Sequence, residues 1–361
     1  MTASVKPRSR TEFHRLAVAA VSGLCDDAVA VTFDVPPGLA DVYAFRAGQS
    51  LTLRRVIDGR EERRSYSICA AEGERLRIGV REVPDGLFST WLVRQVRPGD
   101  TVEVAAPSGS FTPGTGASGR HVLIAAGSGI TPVLSIAATV LREPDASVVM
   151  FYNNRRTSTV MFADELADLK DRYPDRFELV HVLSREPREA ELFTGRLDET
   201  KLESLLALVP DLDEVGDWWL CGPFAMVRTA ADLLRRTGVP PRRIHQELFY
   251  VEEAPPPPVR HEDVPAGGLT SEVTIVLDGR STTLVLPRDA PVLDSAQRFR
   301  PDLPFACKGG VCGTCRAKVT VGEVEMRRNF ALEPSEVDAG FVLTCQSVPV
   351  SGVLTVDYDQ S

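Results

Sequence analysis

A chain of 361 residues, 43% hydrophobic and 25% charged, has the balance of an ordinary folded protein and the length of two or three domains. Its 50 acidic against 41 basic side chains leave a formal charge of −9, which argues against nucleic acid as a partner. No apolar run is long enough to cross a membrane, Met1 to Arg10 holds no apolar segment behind its charges, and seven cysteines make an odd count for a disulfide framework, so a cytoplasmic protein without a secretory signal is expected.

From Thr11 to about Phe111, short β-rich runs at 16–21, 28–33, 50–56, 76–81 and 101–104 alternate with turns at Pro36-Pro37-Gly38, Ala47-Gly48, Asp58-Gly59 and Pro98-Gly99-Asp100. Many short strands at close spacing predict a barrel or sandwich, with helical character only at 87–96. From His121 the period changes. Residues 121–126, 147–152, 177–183 and 217–221 read as apolar strands, with helical stretches up to 142 and at 161–172, 201–208 and 226–237. That alternation predicts a parallel sheet covered on both faces. Pro255-Pro256-Pro257-Pro258 then interrupts the chain as a semi-rigid spacer, which is expected to let the last domain reposition. A small mixed domain follows, with a hairpin over 273–286, a short helix at 292–298 and strands at 316–321 and 353–358.

The strongest chemical signal lies in that last domain. Cys307, Cys312 and Cys315 follow the C-x4-C-x2-C spacing, and Cys345 lies downstream, the pattern of a plant-type [2Fe–2S] site. Three thiolates from one loop require the backbone to curl around the cluster, and Gly309, Gly310 and Gly313 permit that. Four cysteines also suit tetrahedral zinc, but structural zinc sites usually pair short knuckles rather than crowd three cysteines into one loop.

Weaker motifs precede it. Arg64-Ser65-Tyr66-Ser67 combines a phosphate-binding guanidinium, an aromatic face and a hydroxyl; alone it is also an ordinary strand with a surface Arg and a core Tyr. Gly86-Leu87-Phe88-Ser89 is a turn into a helix whose free N–H groups suit a pyrophosphate or simply a helix cap. Gly127-Ser128-Gly129-Ile130-Thr131-Pro132 lacks the third glycine of the usual dinucleotide fingerprint. Cys221-Gly222-Pro223 ends a strand, where a free cysteine is most often a small buried hydrophobe. Ser184-Arg185 follows a strand and offers donors suited to a phosphate, although Glu186 beside them would suit a free 2′-hydroxyl.

Together these motifs resemble the ferredoxin–NADP⁺ reductase superfamily, in the form that carries a C-terminal ferredoxin. The text from Ala306 to Cys315, at Met326 to Asn329, over 331–336 and 339–343, at Cys345-Gln346-Ser347 and over 192–198 is similar to the reductase subunits of ring-1,2-phenylacetyl-CoA epoxidases. The resemblance implies an FAD-binding antiparallel β-barrel over 11–114, an NAD(P)H-binding α/β parallel-sheet domain over 115–250, a Pro-rich linker over 251–270 and a β-grasp [2Fe–2S] ferredoxin domain over 271–361. It implies that Arg64, Gly86 and Ser89 hold the FAD pyrophosphate. Tyr66 lies on the isoalloxazine, Ser67 reaches flavin N5, and Glu247 and Phe249 close the flavin side. Gly127, Gly129, Thr131, Pro132, Cys221, Gly222 and Pro223 receive the nicotinamide nucleotide, with Ser184 and Arg185 on the 2′-phosphate of NADPH. Ser67, Cys221 and Glu247 are the implied catalytic residues, and Cys307, Cys312, Cys315 and Cys345 the cluster ligands.

The implied route runs from NADPH, with NADH as the other donor, through FAD and the cluster to a separate di-iron oxygenase. No Glu-x-x-His pair stands on a predicted helix here, so oxygen is expected to be activated elsewhere. Two other readings stand beside it: a reductase for another oxygenase, such as a Rieske-type steroid hydroxylase, and a non-enzymatic zinc or iron–sulfur interaction protein.

Overall fold

A computed structural model describes residues 12–57, 59–84, 86–250 and 268–360. The poly-proline stretch and the start of the chain lie outside the described residues. The chain divides into two compact units, the first being Phe13–Glu252.

The first unit opens with strands β1 (Phe13–Cys25), β2 (Ala28–Asp34), β3 (Ser50–Ile57), β4 (Arg60–Ser67) and β5 (Arg77–Arg81), helix α1 (Leu87–Arg94) and strand β6 (Thr101–Ala105). They form an antiparallel sheet in the order β4-β3-β6-β1-β2-β5, and a bridge from Ile68, just past β4, to Ile78 of β5 joins its two outer strands, closing it into a barrel. Alternation explains the packing. Leu16, Val31, Phe33, Leu53, Ile78 and Val104 point inward and are almost wholly buried. The Arg-x-Tyr-Ser motif, read from sequence as following a strand, is the end of β4 itself. Its charged neighbours hide the strand pattern, because β4 pairs along its whole length with β3.

The chain then alternates: β7 (Gly119–Ala126), α2 (Ile130–Val140), β8 (Ala146–Asn154), α3 (Ala163–Arg172), β9 (Phe177–Leu183), α4 (Glu199–Leu206), β10 (Val215–Pro223), α5 (Phe224–Arg236) and β11 (Ile244–Tyr250). All pairings in this sheet are parallel, in the order β11-β10-β7-β8-β9. The direction of winding reverses between β7 and β10, and a crevice at the carboxyl ends of those strands is where such sheets take ligands.

Barrel and sheet share one apolar seam. Ala30, Ala47, Cys69 and Phe111 from the barrel side pack into the same buried cluster as Ile136, Phe162 and Trp219. Phe111 meets Trp219 edge to face with centroids 5.2 Å apart. Across the seam Ser135 Oγ donates to the Ala70 carbonyl at 2.6 Å, and Arg77 pairs with Glu165 at 2.8 Å. Gly48 is needed at the seam: its φ is +82°, and a Cβ there would lie 1.9 Å from the Phe111 carbonyl oxygen. An interface this apolar holds the two layers in one relative position.

The second unit contains β12 (Thr270–Leu277), β13 (Arg280–Pro287), α6 (Val292–Ala296), β14 (Arg316–Val321), β15 (Val324–Met326), α7 (Pro334–Asp338), β16 (Phe341–Leu343), β17 (Ser347–Pro349) and β18 (Val353–Asp357). A mixed sheet runs β13-β12-β18-β14-β16, with β12 and β18 parallel and a separate β15–β17 pair. Val273, Ile275, Leu293, Leu343, Leu354 and Val356 form its core. The cysteine loop connects α6 to β14.

A polar group is buried at the amino end of the parallel sheet. The Trp219 indole donates to His121 Nδ1 at 3.4 Å, while His121 Nε2 is buried with no partner. Trp219 stacks on His245 at 4.0 Å, and His245 Nε2 lies 2.8 Å from Asp217 Oδ1. Burial pushes the His121 pKa down from its ordinary 6.5, opposed by the Asp217 charge and assisted by His245. The folded protein therefore resists a proton that the unfolded chain accepts, so stability falls as pH drops below about 6.5 toward the depressed value. Replacing His121 by Gln, which keeps an acceptor for the indole, should flatten this limb. Melting temperatures of the two proteins between pH 7.5 and 5 should converge toward acid; parallel curves would assign the acid loss to other groups.

Candidate functional site

Three strands meet at the carboxyl end of the parallel sheet. Ser67 ends β4, Cys221 lies on β10, and Glu247 lies opposite Cys221 on β11. Ser67 Oγ donates to Glu247 Oε2 at 3.2 Å. Burial is the main influence on Glu247 and pushes its pKa up to about 8, against the opposing hydrogen bond from Ser67. Burial likewise pushes the Cys221 thiol up, reinforced by Glu247. At neutral pH this corner holds a neutral thiol and a protonated carboxyl, so it can hold a proton without carrying charge.

The neighbouring wall is aromatic. Tyr66 lies 6.2 Å from Phe88 between ring centroids, and burial pushes its phenol pKa up. The Arg64 guanidinium is about half exposed, held by Glu62 at 2.9 Å and by the Arg63 carbonyl at 2.7 Å. Gly86 precedes α1, and Ser89 Oγ accepts from the Val83 N–H at 3.0 Å, so that hydroxyl already serves the turn. The charged head at the edge, flat wall and hydrogen-bonding floor suit a flavin with its pyrophosphate outward. Phe88 is a member of this wall that the motifs alone do not single out, because within its helix it reads as an ordinary core residue.

The Gly127–Gly129 turn joins β7 to α2 beside this corner. Gly127 has φ +56° and its carbonyl accepts from Tyr152 Oη at 3.0 Å. At Gly129 a Cβ would lie 2.3 Å from the Cys221 carbonyl oxygen. This second glycine is thus dictated by the approach of the turn to Cys221-Gly222, which brings the two nucleotide motifs into contact. Thr131 Oγ1 donates to the Ser128 carbonyl at 3.0 Å, and Pro132 sits in the first turn of α2, where its missing N–H costs nothing. Pro223 caps α5, and Phe249 packs partly buried against the seam. Ser184 and Arg185 lie just beyond β9, their N–H groups bonded to the carbonyls of Asn154 and Arg155, both at 2.8 Å.

In the second unit the four cysteines fall into two pairs. Cys307 and Cys312 are partly exposed, whereas Cys315 and Cys345 are buried. Cys307 Sγ accepts from the N–H groups of Gly309 at 3.3 Å and Val311 at 3.4 Å. Hydrogen bonding, from the Cys312 thiol foremost, pushes the Cys307 pKa down to about 5. Lys308, Gly310 and Gly313 all have positive φ, which curls the backbone around the thiols. Lys308 tolerates that strain because its ammonium is held by Asp294 at 2.9 Å and Gln297 at 2.7 Å. Gln346, almost wholly buried, donates from Nε2 to the carbonyls of Lys308 at 2.8 Å and Cys345 at 3.0 Å, and lies 3.7 Å from Cys345 Sγ. It ties the loop to the fourth cysteine; its only sequence signal is adjacency to Cys345. Cys307 beside Cys312 and Cys315 beside Cys345, with backbone N–H donors on Cys307, fit an iron–sulfur cluster.

Comparison with known proteins agrees with this geometry. Residues 15–112 match the oxidoreductase FAD-binding domain family, 123–232 the oxidoreductase NAD-binding domain family, and 275–350 the 2Fe-2S iron-sulfur cluster binding domain family. The chain is 43% identical to a component of the 1,2-phenylacetyl-CoA epoxidase of Escherichia coli (strain K12), over 97% of this chain and 98% of that one. It is 33% identical to the ferredoxin reductase component of 3-ketosteroid-9-alpha-monooxygenase from Mycobacterium tuberculosis, over 96% of each chain. Its fold resembles that of phthalate dioxygenase reductase with a TM-score of 0.59 at 24% identity, covering 96% of this chain and 98% of the other.

The buried carboxyl gives a measurable signature. A Glu247 pKa raised to about 8 in the fold, against an ordinary 4.5, means that ionisation costs more folded than unfolded. Its stabilising effect is complete below about pH 4.5 and is lost as pH rises through about 8. Glu247→Gln, which keeps an acceptor for Ser67, should therefore lose less melting temperature than the native protein between pH 6 and 9, at about 2–4 °C per kcal/mol. Parallel curves would mean that Glu247 is already ionised at neutral pH.

Proposed function

The chain belongs to the ferredoxin–NADP⁺ reductase superfamily, in the group ending in a [2Fe–2S] domain, and is an NAD(P)H-dependent flavin and iron–sulfur oxidoreductase; from that premise we propose that it carries electrons from NADPH to a di-iron oxygenase that epoxidises phenylacetyl-CoA. The 43% identity to the epoxidase component over nearly the whole of both chains carries this reading. The di-iron character of the partner follows from the family resemblance. The match of residues 275–350 to the cluster-binding family sets aside the zinc reading.

Bound FAD supplies the exchange between a two-electron hydride donor and the one-electron cluster. The residues of this chain do the positioning. Arg64, with Gly86 and Ser89 at the turn, would take the FAD pyrophosphate, and Tyr66, backed by Phe88, would support the ring. Ser67 would place its hydroxyl at N5 while Glu247 holds a proton on its carboxyl. Gly127, Gly129, Thr131 and Pro132 leave the backbone open to the nicotinamide nucleotide, and Gly222-Pro223 bounds the other side. Cys221, small and uncharged, would let the nicotinamide lie close to the flavin while excluding water. Ser184 and Arg185 would bind the 2′-phosphate. Cys307, Cys312, Cys315 and Cys345 would hold the cluster.

A second reading keeps the same electron route and changes the partner. The 33% identity to the 3-ketosteroid-9-alpha-monooxygenase component over 96% of each chain favours a steroid monooxygenase as the alternative acceptor, of the Rieske type that the family resemblance suggests.

Anaerobic stopped-flow reduction separates the readings. NADPH should bleach the flavin in both the native protein and Cys345→Ser, and the cluster signal should follow only in the native protein. With phenylacetyl-CoA present, product should form with the di-iron oxygenase and the native protein, and fall at least about 100-fold with the variant, since electron transfer loses its one-electron exit. Rapid reduction of flavin and cluster with turnover only of a Rieske-type oxygenase would discard the epoxidase assignment.

A further inference from the structure

The residue after Ser184-Arg185 is an acid. At this end of a nucleotide-binding sheet, an acid ordinarily accepts from the free ribose hydroxyl of NADH and repels the 2′-phosphate of NADPH. In this structure the Glu186 carboxylate is engaged elsewhere. Oε2 accepts from the Thr157 N–H at 2.8 Å and Oε1 from the Thr157 hydroxyl at 2.7 Å. Both oxygens are thus committed to one residue on the loop between β8 and α3.

That residue is itself held in place. Thr157 opens the short turn Thr157–Thr159. Arg156 N–H donates to Thr159 Oγ1 at 3.1 Å, Arg81 donates to the Thr159 carbonyl, and Asp26 N–H reaches the Ser158 carbonyl at 3.4 Å. The two loops run side by side because the N–H groups of Ser184 and Arg185 continue the β8–β9 ladder onto Asn154 and Arg155. The hydrogen bonds from Thr157 hold the Glu186 pKa below the usual carboxylate value, with smaller help from Arg188 and Arg156. The acid therefore stays charged, and where it points matters. Arg155 is also committed, to Asp27 at 2.6 Å. Among the described residues no side chain pairs with the exposed Arg185 guanidinium.

We propose that Thr157 determines nucleotide specificity: by holding both oxygens of Glu186 on the β8–α3 loop, it withdraws the acid from the ribose and leaves Ser184 and Arg185 to bind a 2′-phosphate. This rests on the reading of NADPH as the donor. Thr157 acts through Glu186 and is a positioning residue. Removing its hydroxyl leaves one hydrogen bond where there were two, and frees the carboxylate to swing toward the ribose.

The test is the NADPH:NADH ratio of kcat/KM for flavin reduction in the holoenzyme, measured across a set of variants. Thr157→Val should lower the ratio about fivefold, through a higher KM for NADPH at unchanged kcat, as loss of one hydrogen bond to a charged group allows. Thr157→Ser, which keeps the hydroxyl, should retain the native ratio. Glu186→Gln should leave the ratio at or above native, and Thr157→Val/Glu186→Gln should return to that level, since the charge being restrained is gone. Arg185→Ala should lower the ratio if a 2′-phosphate is bound there. An Arg185→Ala effect with no Thr157→Val effect, or a double variant as poor as Thr157→Val, overturns the specificity role alone. No effect of Arg185→Ala overturns the 2′-phosphate reading, and the role of Thr157 with it.

Discussion

The hydrogen bond from Ser67 to Glu247 joins residues 180 apart in the chain, one at the end of a barrel strand and the other on the edge strand of the parallel sheet. A single hydrogen bond of this kind contributes about 1 kcal/mol net and cannot hold two layers together. It forms because the seam has already fixed them: Phe111 against Trp219, Ser135 on Ala70, and a glycine at 48 where no side chain fits. The site is a consequence of the seam. Its chemistry follows from the same burial, since excluding water from Glu247 and Cys221 is what keeps both neutral.

The cysteine loop solves a different problem. Four thiolates in a small volume repel one another, and a loop that gathers them must bend where L-residues resist bending. Glycine meets the bend at Gly310 and Gly313, but Lys308 adopts positive φ with a side chain attached. The strain is held by contacts outside the loop, from Asp294 and Gln297 on one side and Gln346 on the other. A second chain of bonds, Tyr358 to Thr344 at 2.8 Å and Thr344 to the Cys315 carbonyl at 3.0 Å, fixes the buried pair. The loop is therefore shaped largely by residues with no place in the cysteine motif.

This explains what was legible in the sequence. The parallel sheet could be read because its strands are apolar throughout, and the cluster site because thiolate spacing is a local constraint. Strand β4 was partly hidden: Arg60 to Arg64 contains only charged residues, and its pairing with β3 depends on distant order. Strand β11 was hidden for a similar reason, since His245, Gln246 and Glu247 break an apolar run to serve the cleft and the His245–Asp217 pair. Gly129 was legible as a glycine the motif requires, but not its steric reason, the Cys221 carbonyl 2.3 Å from any Cβ. Glu186 read as a group that opposes NADPH, because its partner Thr157 is 29 residues away on another loop. Residue type was enough to suggest each chemistry. Whether a charged group is free to exercise it depends on contacts that spacing does not encode.

The two units divide the chemistry as well as the fold. Every residue of the Ser67–Cys221–Glu247 corner, the aromatic wall and the glycine turn lies between Phe13 and Glu252, and every cysteine of the cluster motif lies in the C-terminal unit. Each unit has its own buried core, so each can preorganise its site without the other. The FAD- and NAD-binding family matches both fall in the first unit and the cluster-binding match in the second, so hydride acceptance would call on the first unit alone. The chain's own contribution is two separate settings, a buried corner that keeps a proton on Glu247 and a loop that gathers four thiols, two of them partly exposed. Burial sets the first setting, and hydrogen bonds to sulfur set the second.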